Sequence, residues 1–356
     1  MAVPAGGRAV MKLAELEEYK KRQRAAVRRN RLLLLALAAV SAALWFWAGG
    51  GSSVQERKLM SSVREAQNFL YDLRVSRGSE FEKEDDPYRT GFIGLEWSPL
   101  STTLGALEAK RTACDPRWSV VVRRWMESLD VQPGDCVAVY SSSSFPGMAF
   151  NVLRALESLG ARPLLVVSLG SSTWGANDPR FPWPTLEKEL RAAGFLRTQA
   201  YAYTPGGGRD VGGGLPPEAM ELLRAAAAEN RVPLVVKDSL EEVIQWKMDL
   251  LARHHAKALV SIGGSESNLG PGNDILRLRP GLHRSGRAGS GVIGRALQAG
   301  YPVVHLLNVK GLAAANGVPF DAPPGAIFHG ARSLWAALAC LAAFVAVMAV
   351  YKRWSF

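Results

Sequence analysis

The chain has 356 residues and a formal net charge of +11, with 48% hydrophobic and 21% charged residues. Its positive charge is concentrated at the ends: the first 51 residues carry nine Lys or Arg against three Glu, and Lys352 and Arg353 lie near the C-terminus. The part between them keeps an excess of about three positive charges. This excess is too small to attract the phosphate backbone of a nucleic acid, so we expect no nucleic-acid binding.

The first predicted element is a membrane segment. Residues 32–48 read LLLLALAAVSAALWFWA, an uncharged stretch just long enough to span a hydrocarbon core. Basic residues crowd its N-terminal side from Lys20 to Arg31, so the positive-inside rule places residues 1–31 in the cytoplasm. A cleaved signal peptide is the alternative, and it would export the following domain as well.

A second uncharged stretch lies within residues 333–351 and precedes Lys352 and Arg353, so residues 352–356 are also predicted to be cytoplasmic. The two charge asymmetries agree on one topology. They predict a cytoplasmic (inner) membrane protein with a transmembrane helix near each end and an extracytoplasmic domain between them.

Residues 49–85 are predicted to form a stalk helix and a linker. Apolar residues recur at intervals of four and three from Leu59 to Leu73, which predicts a helix over residues 54–74 with one apolar stripe. That stripe either packs on the domain or pairs with a second chain. Residues 79–87 read as an acidic linker, and residues 91–110 as irregular chain.

From residue 136 onward, short apolar stretches alternate with helical patterns. The predicted strands are 136–140, 163–168, 232–236, 258–262 and 302–306, and the predicted helices are 147–159, 185–193, 216–230, 240–254, 287–299 and 309–316. Strands that are apolar throughout and alternate with helices indicate a parallel sheet covered on both faces. We therefore predict an α/β domain over residues 86–332, doubly wound and Rossmann-like, with a mostly parallel sheet.

Three loops follow predicted strand ends, where such sheets bind ligands. In the first loop, hydroxyls and a helix N-terminus would suit a carboxylate or phosphate. In the second loop, a Trp side chain offers an apolar wall. The glycines of the third loop allow the backbone to approach a ligand closely. Each loop is also compatible with a plain turn. The candidate ligand-binding residues are Ser142, Ser143 and Ser144, then Ser171, Ser172, Trp174, Asn177 and Asp178, then Gly263, Gly264 and Ser265.

Evidence for catalysis or metal binding is weak in the sequence. Ser144, His305 and Asp178 are the components of a Ser–His–Asp hydrolase, but there is no GxSxG turn and nothing in their spacing brings them together. No pattern of metal ligands occurs, so neither a metal nor another cofactor is predicted. In an oxidising compartment, Cys114 and Cys136 form either one disulfide or two separately buried thiols.

Five stretches resemble the poly-gamma-glutamate system protein family, membrane proteins encoded beside the ligase and membrane components that make this polymer. They are GFIGLEWSPLSTTLGALEAKRT at 91–112, GDCVAVYSSSSFP at 134–146, SSTWGANDP at 171–179, SIGG at 261–264 and YPVVHL at 301–306. The resemblance runs over most of residues 55–350. It implies a role in synthesis or export of the polymer, with the anionic polymer and the membrane proteins of that machinery as partners, and it implies no established catalytic activity.

Three functions follow from these observations. The leading hypothesis is a membrane-anchored accessory component of poly-gamma-glutamate synthesis or export, whose domain binds polymer or a partner subunit. The alternative is an extracytoplasmic Ser-dependent γ-glutamyl hydrolase or transferase. The third is an anchored protein that binds an unrelated carboxylate ligand.

Overall fold

The computed structural model describes residues 13–48, 52–324, 338–346 and 348. The chain divides into two compact units, one of residues 1–51 with 329–356 and the other of residues 52–328. In the first unit, helix α1 (Leu13–Ala48) is continuous through the basic segment and the predicted first membrane segment. Among the described residues, no helix combines the length and the apolar character that crossing a membrane requires.

The second predicted membrane segment lies mostly outside the described residues. Of residues 333–351, only 338–346 and 348 are described, and they are helical. The predicted cytoplasmic residues 1–12 and 352–356 are outside the described part as well.

The second unit contains ten α-helices, one 3₁₀ helix (Asp274–Arg277) and eight strands among its described residues. The helices are α2 (Val54–Ser76), α3 (Leu107–Ala113), α4 (Arg117–Ser128), α5 (Pro146–Ser158), α6 (Trp183–Ala192), α7 (Pro217–Glu229), α8 (Leu240–Arg253), α9 (Glu266–Leu269), α10 (Val292–Gln298) and α11 (Val309–Asn316). The strands are β1 (Ser101–Thr103), β2 (Cys136–Ser142), β3 (Arg162–Ser168), β4 (Ser171–Ser172), β5 (Ala202–Thr204), β6 (Ala258–Ile262), β7 (Gly281–His283) and β8 (Val303–Leu306).

Six strands form the main sheet in the order β5-β3-β2-β6-β8-β7, and all pairs are parallel except the edge pair β7–β8. The chain enters the sheet at the central strand β2, moves outward through β3 and β5, and returns to the other side through β6 and β8. The prediction of an α/β fold with a mostly parallel sheet is confirmed. The strand order reverses between β2 and β6, where such sheets place their ligand crevice.

The core lies on both faces of this sheet. Successive β2 residues alternate between two apolar clusters, with Val137 and Val139 in one and Ala138 and Tyr140 in the other. The first cluster includes residues of α2, α4 and α5, and the second includes residues of α8 and α10. Burial on both faces explains why apolar residues predominate along these strands.

Helix α2 packs on the domain, the first of the two alternatives for the predicted stalk. Its N-terminus is fixed by a capping box in which the Ser53 hydroxyl accepts from the Glu56 N–H and the Glu56 carboxylate accepts from the Ser53 N–H. Val63, Ala66 and Leu70 are fully buried against α4, α5 and α6. The helix therefore belongs to the same compact unit as the sheet.

The predicted strand over residues 232–236 is not a strand of the sheet. Only Leu234 pairs, in an isolated bridge to Tyr203, because Pro233 has no N–H with which to continue a ladder. The position next to β3 is taken by β5, whose three residues are too few for a clear periodic signal. The stretch 91–110, predicted to be irregular, contains β1 and the start of α3.

The two central cysteines are free and buried, so the disulfide alternative was wrong. Cys114 lies in the first apolar cluster and Cys136 in the second, on opposite faces of the sheet. The sheet itself separates the two thiols.

Candidate functional site

A cavity of about 600 Å³ opens at the carboxyl ends of β2 and β6. All three loops nominated by the sequence reach it, through Ser142 and Ser144, through Ser172, and through Gly264 and Ser265. The remaining lining includes three parts of the chain that the sequence did not nominate, which are residues 102–105 with Lys110, the glycine-rich segment 206–214, and Leu307. It is completed by residues of the three loops themselves, namely Phe145, Ser168, Gly170 and Glu266.

Ser142 presents an unsatisfied hydroxyl in the lining of this cavity. Its side chain is 5% exposed, and its Oγ has no hydrogen-bond partner among the described residues. Gly263 lies against it with φ +78°, and a Cβ there would come within 2.1 Å of the Ser142 Oγ. Glycine at 263 therefore keeps the space beside this hydroxyl open.

Helix α5 directs its N-terminus toward the same edge of the sheet. It begins at Pro146, directly after the Ser142–Phe145 loop, and its N-cap residue Phe145 makes no side-chain capping bond. The backbone N–H group of Ser144 has no acceptor within the described chain. An unsatisfied N–H group and the positive end of a helix dipole together favour an anion.

Lys110 supplies a buried cation to the cavity. Its Nζ donates to the Ser172 Oγ at 2.6 Å and to the Ser144 carbonyl, and it lies 3.8 Å from the centre of the Phe145 ring. No carboxylate of the described residues is within ion-pair distance. Burial lowers the pKa of Lys110 to about 7, an effect that the nearby Cys114 partly offsets.

A second buried lysine is paired. Lys247 lies 2.9 Å from the Asp210 carboxylate, which also accepts from the hydroxyls of Ser265 and Thr204, both at 2.9 Å. Burial alone would raise the pKa of Asp210, but the Lys247 ammonium and the hydroxyl donors hold it below its usual value. This cluster ties the glycine-rich segment to the loop after β6, and it neutralises the cavity's deepest carboxylate.

Glu266 is the other carboxylate in the lining. It accepts a hydrogen bond from the backbone N–H of Arg209 and is not part of the Asp210–Lys247 cluster. The lining of the cavity therefore contains both the Lys110 cation and a carboxylate outside the Asp210–Lys247 cluster.

The other residues of the second loop serve the fold. The Asn177 side chain accepts from the Leu95 N–H and donates to the Leu95 carbonyl, both at 2.9 Å. Asp178 forms a buried ion pair with Arg74 of α2 at 3.0 Å. Trp174 donates its indole N–H to Asp85 at 3.1 Å. None of the three lines the cavity, so Trp174 is not its apolar wall.

Two further serines of the predicted set also lie outside the lining. The Ser143 side chain is fully buried, and its backbone N–H donates to the Ser168 carbonyl at 2.9 Å. The Ser171 hydroxyl donates to the Ser143 carbonyl at 3.2 Å. They join the loops after β2 and β3 to each other.

The three components of a Ser–His–Asp hydrolase are not brought together. His305 is buried within β8, where burial and the nearby His283 lower its pKa to about 4 and keep it neutral. The Ser144 Oγ accepts from the Ser172 N–H at 3.0 Å, and Asp178 is held by Arg74. His305 lies within β8, whereas Ser144 lies beyond the end of β2. No hydrogen bond joins the two residues in the described part of the chain.

The described residues contain no group of three or more His, Cys, Asp or Glu side chains arranged to hold a metal ion. Comparison of the chain with protein-family models, with curated proteins and with solved structures finds no match.

Proposed function

We propose that the cavity binds a carboxylate-bearing ligand, and that the chain is a membrane-anchored accessory component of poly-gamma-glutamate synthesis or export. The observation that carries the ligand class is Lys110, a buried cation with no carboxylate partner in the described chain. A buried charge without a counter-ion is costly, and an anion entering the cavity would offset that cost.

The neighbouring groups fit a glutamyl unit. The Ser142 hydroxyl and the backbone N–H group of Ser144, just before α5, are donors for a carboxylate. The apolar side chains of Leu104 and Phe145 offer contact for the methylenes of the unit. A cavity of about 600 Å³ has the size of a site for a small molecule or a short chain segment.

The assignment to poly-gamma-glutamate rests on the five resembling stretches. The proposed localisation, with both termini cytoplasmic and the α/β domain (residues 86–332) extracytoplasmic, rests on the two uncharged segments and their basic borders. A domain on the outer side of the membrane would meet the polymer as it leaves the synthesis machinery, and the membrane proteins of that machinery would be its partners.

Binding of short poly-gamma-glutamate to the full-length chain in detergent tests the proposal. Ser142→Ala removes one donor to a charged ligand and leaves no protein group unsatisfied, so the affinity should fall about tenfold to a hundredfold. Lys110→Met removes the cation and should weaken binding at least as much. Ser143→Ala is the matched control, because that neighbouring hydroxyl is also buried and unpartnered but does not line the cavity.

Equal affinity in the wild type, Ser142→Ala and Lys110→Met would refute the assignment of this cavity. Competition by citrate as strong as that by γ-glutamyl oligomers would favour an unrelated carboxylate ligand. The wild-type affinity should fall as the pH rises above about 7, where Lys110 loses its proton, and that dependence should be absent from Lys110→Met.

A further inference from the structure

Ser172 and Lys110 form a close hydrogen-bonded pair within the cavity. The Ser172 Oγ and the Lys110 Nζ are 2.6 Å apart, both side chains are buried, and both line the cavity. The pair joins β4 to α3 across 62 residues of sequence. A serine hydroxyl that touches an amine inside a ligand cavity is the arrangement of a serine nucleophile with a lysine base.

The surroundings of Lys110 make its amine a usable base. Burial lowers its pKa to about 7, so a large fraction is neutral at neutral pH. The titratable groups around it are Cys114 of the same helix and the cavity carboxylates Asp210 and Glu266. Asp210 is neutralised by Lys247 and Glu266 bonds to the Arg209 N–H, so neither forms an ion pair with Lys110.

The Ser144 loop completes the arrangement. The Ser144 carbonyl accepts from Lys110, and the Ser144 Oγ accepts from the Ser172 N–H at 3.0 Å. These two bonds hold the loop against the pair and fix the direction of the amine. The backbone N–H group of Ser144 remains without an acceptor within the described residues and would stabilise an oxyanion.

We propose that Ser172 is a nucleophile and Lys110 its general base in acyl transfer from a γ-glutamyl amide. The identity of the acyl group rests on the proposed function; the pair itself does not. The Ser172 Oγ attacks the amide carbonyl carbon and its proton passes to the Lys110 Nζ. The oxyanion then collapses, the C–N bond breaks, and Lys110 returns the proton to the leaving amine.

The product of that step is a γ-glutamyl ester of Ser172. Water, deprotonated by Lys110, attacks the ester carbonyl and releases a carboxylic acid, while the Ser172 oxygen regains its proton. An amine attacking in place of water would form a new amide. The first outcome shortens the polymer, and the second transfers its chain end.

Labelling of the full-length chain with a fluorophosphonate probe, which phosphonylates activated serines, tests the pair without depending on the substrate. Mass spectrometry should locate the adduct on Ser172. Labelling should be lost in Ser172→Ala and slowed at least a hundredfold in Lys110→Met. The labelling rate should rise with pH through about 7, opposite in direction to polymer affinity, because a base acts in its neutral form.

Ser172→Cys checks that the fold survives substitution at this position, since its thiol should react with iodoacetamide while the buried thiols of Cys114 and Cys136 stay unreactive. No adduct on native protein, or an adduct on Ser144 alone, would overturn the proposal. Polymer binding without labelling would overturn the nucleophile and leave the proposed function standing. Labelling of Ser172 without polymer binding would overturn the proposed function and leave the assignment of Ser172 as a nucleophile standing.

Discussion

The two buried lysines should respond in opposite ways to the same substitution. Lys110 has no carboxylate partner among the described residues, whereas Lys247 lies 2.9 Å from Asp210. Replacing each by Met removes a charge of the same kind from a site of similar burial. We expect Lys110→Met to stabilise the fold at acidic pH and Lys247→Met to destabilise it.

The free energy that the charged Lys110 costs the fold follows from its pKa, which burial lowers from 10.5 to about 7. Each unit of pKa shift corresponds to about 1.4 kcal/mol, so the charged form costs the folded state about 5 kcal/mol. The cost is fully present below pH 7, where Lys110 is charged in both states. It shrinks as the pH rises toward 10.5, because only the unfolded chain then carries the extra proton.

Met at position 110 removes this cost but also leaves the Ser144 carbonyl and the Ser172 hydroxyl without a donor, a loss of about 1–3 kcal/mol. The variant should therefore be more stable than the wild type by about 2–4 kcal/mol at pH 6. Between pH 6 and pH 9 this advantage should shrink by about 3 kcal/mol.

Lys247→Met leaves the Asp210 carboxylate buried without a counter-ion. Breaking a buried pair in this way costs about 3–5 kcal/mol. The two variants thus form a matched pair with opposite signs, and any general effect of placing Met in the core is common to both.

Thermal unfolding of full-length protein in detergent, followed by tryptophan fluorescence at pH 6 and pH 9, measures both effects. One kcal/mol corresponds to about 2–4 °C in a domain of similar size, so differences of several degrees are expected. A Lys110→Met variant that unfolds at a lower temperature than the wild type at pH 6 would refute the reasoning. So would a difference from the wild type that is independent of pH.

Gly263→Ala should abolish polymer binding and destabilise the domain by about 1–3 kcal/mol. The reasons are that φ at this position is +78° and that the new methyl would lie 2.1 Å from the Ser142 Oγ. The binding assay measures the first effect and thermal unfolding the second. Gly134→Ala is its control, since φ is +89° but nothing lies within 4 Å, so only the backbone strain is shared. For topology, cysteines introduced at the exposed positions 25 and 201 should be labelled from opposite sides of the membrane, and labelling of position 201 only from the cytoplasm would exclude the proposed orientation.

The sheet and the location of the cavity follow from local patterns in the sequence. Strands of a parallel sheet are buried on both faces, so the apolar stretch 136–140 and the stretch 258–262, apolar except for Ser261, stand out between helical ones. Because parallel strands end at one edge, the loops after them meet there. Ser142, Ser172 and Gly264 were nominated for this reason, and they line the same cavity.

Only the tertiary structure assigned individual side chains to roles. Trp174, Asn177 and Asp178 were nominated with Ser172, but they bond to distant segments such as α2. Lys110 was not nominated, since α3 is too short to show a periodic pattern.

The reason is that periodicity reports which face of an element is buried, whereas a functional contact depends on which distant residue arrives opposite it. Lys110 meets Ser172 across 62 residues, and Lys247 meets Asp210 across 37. Nothing local distinguishes these two lysines from each other. The fold alone decides that Lys247 has a carboxylate beside it and that Lys110 has a serine hydroxyl.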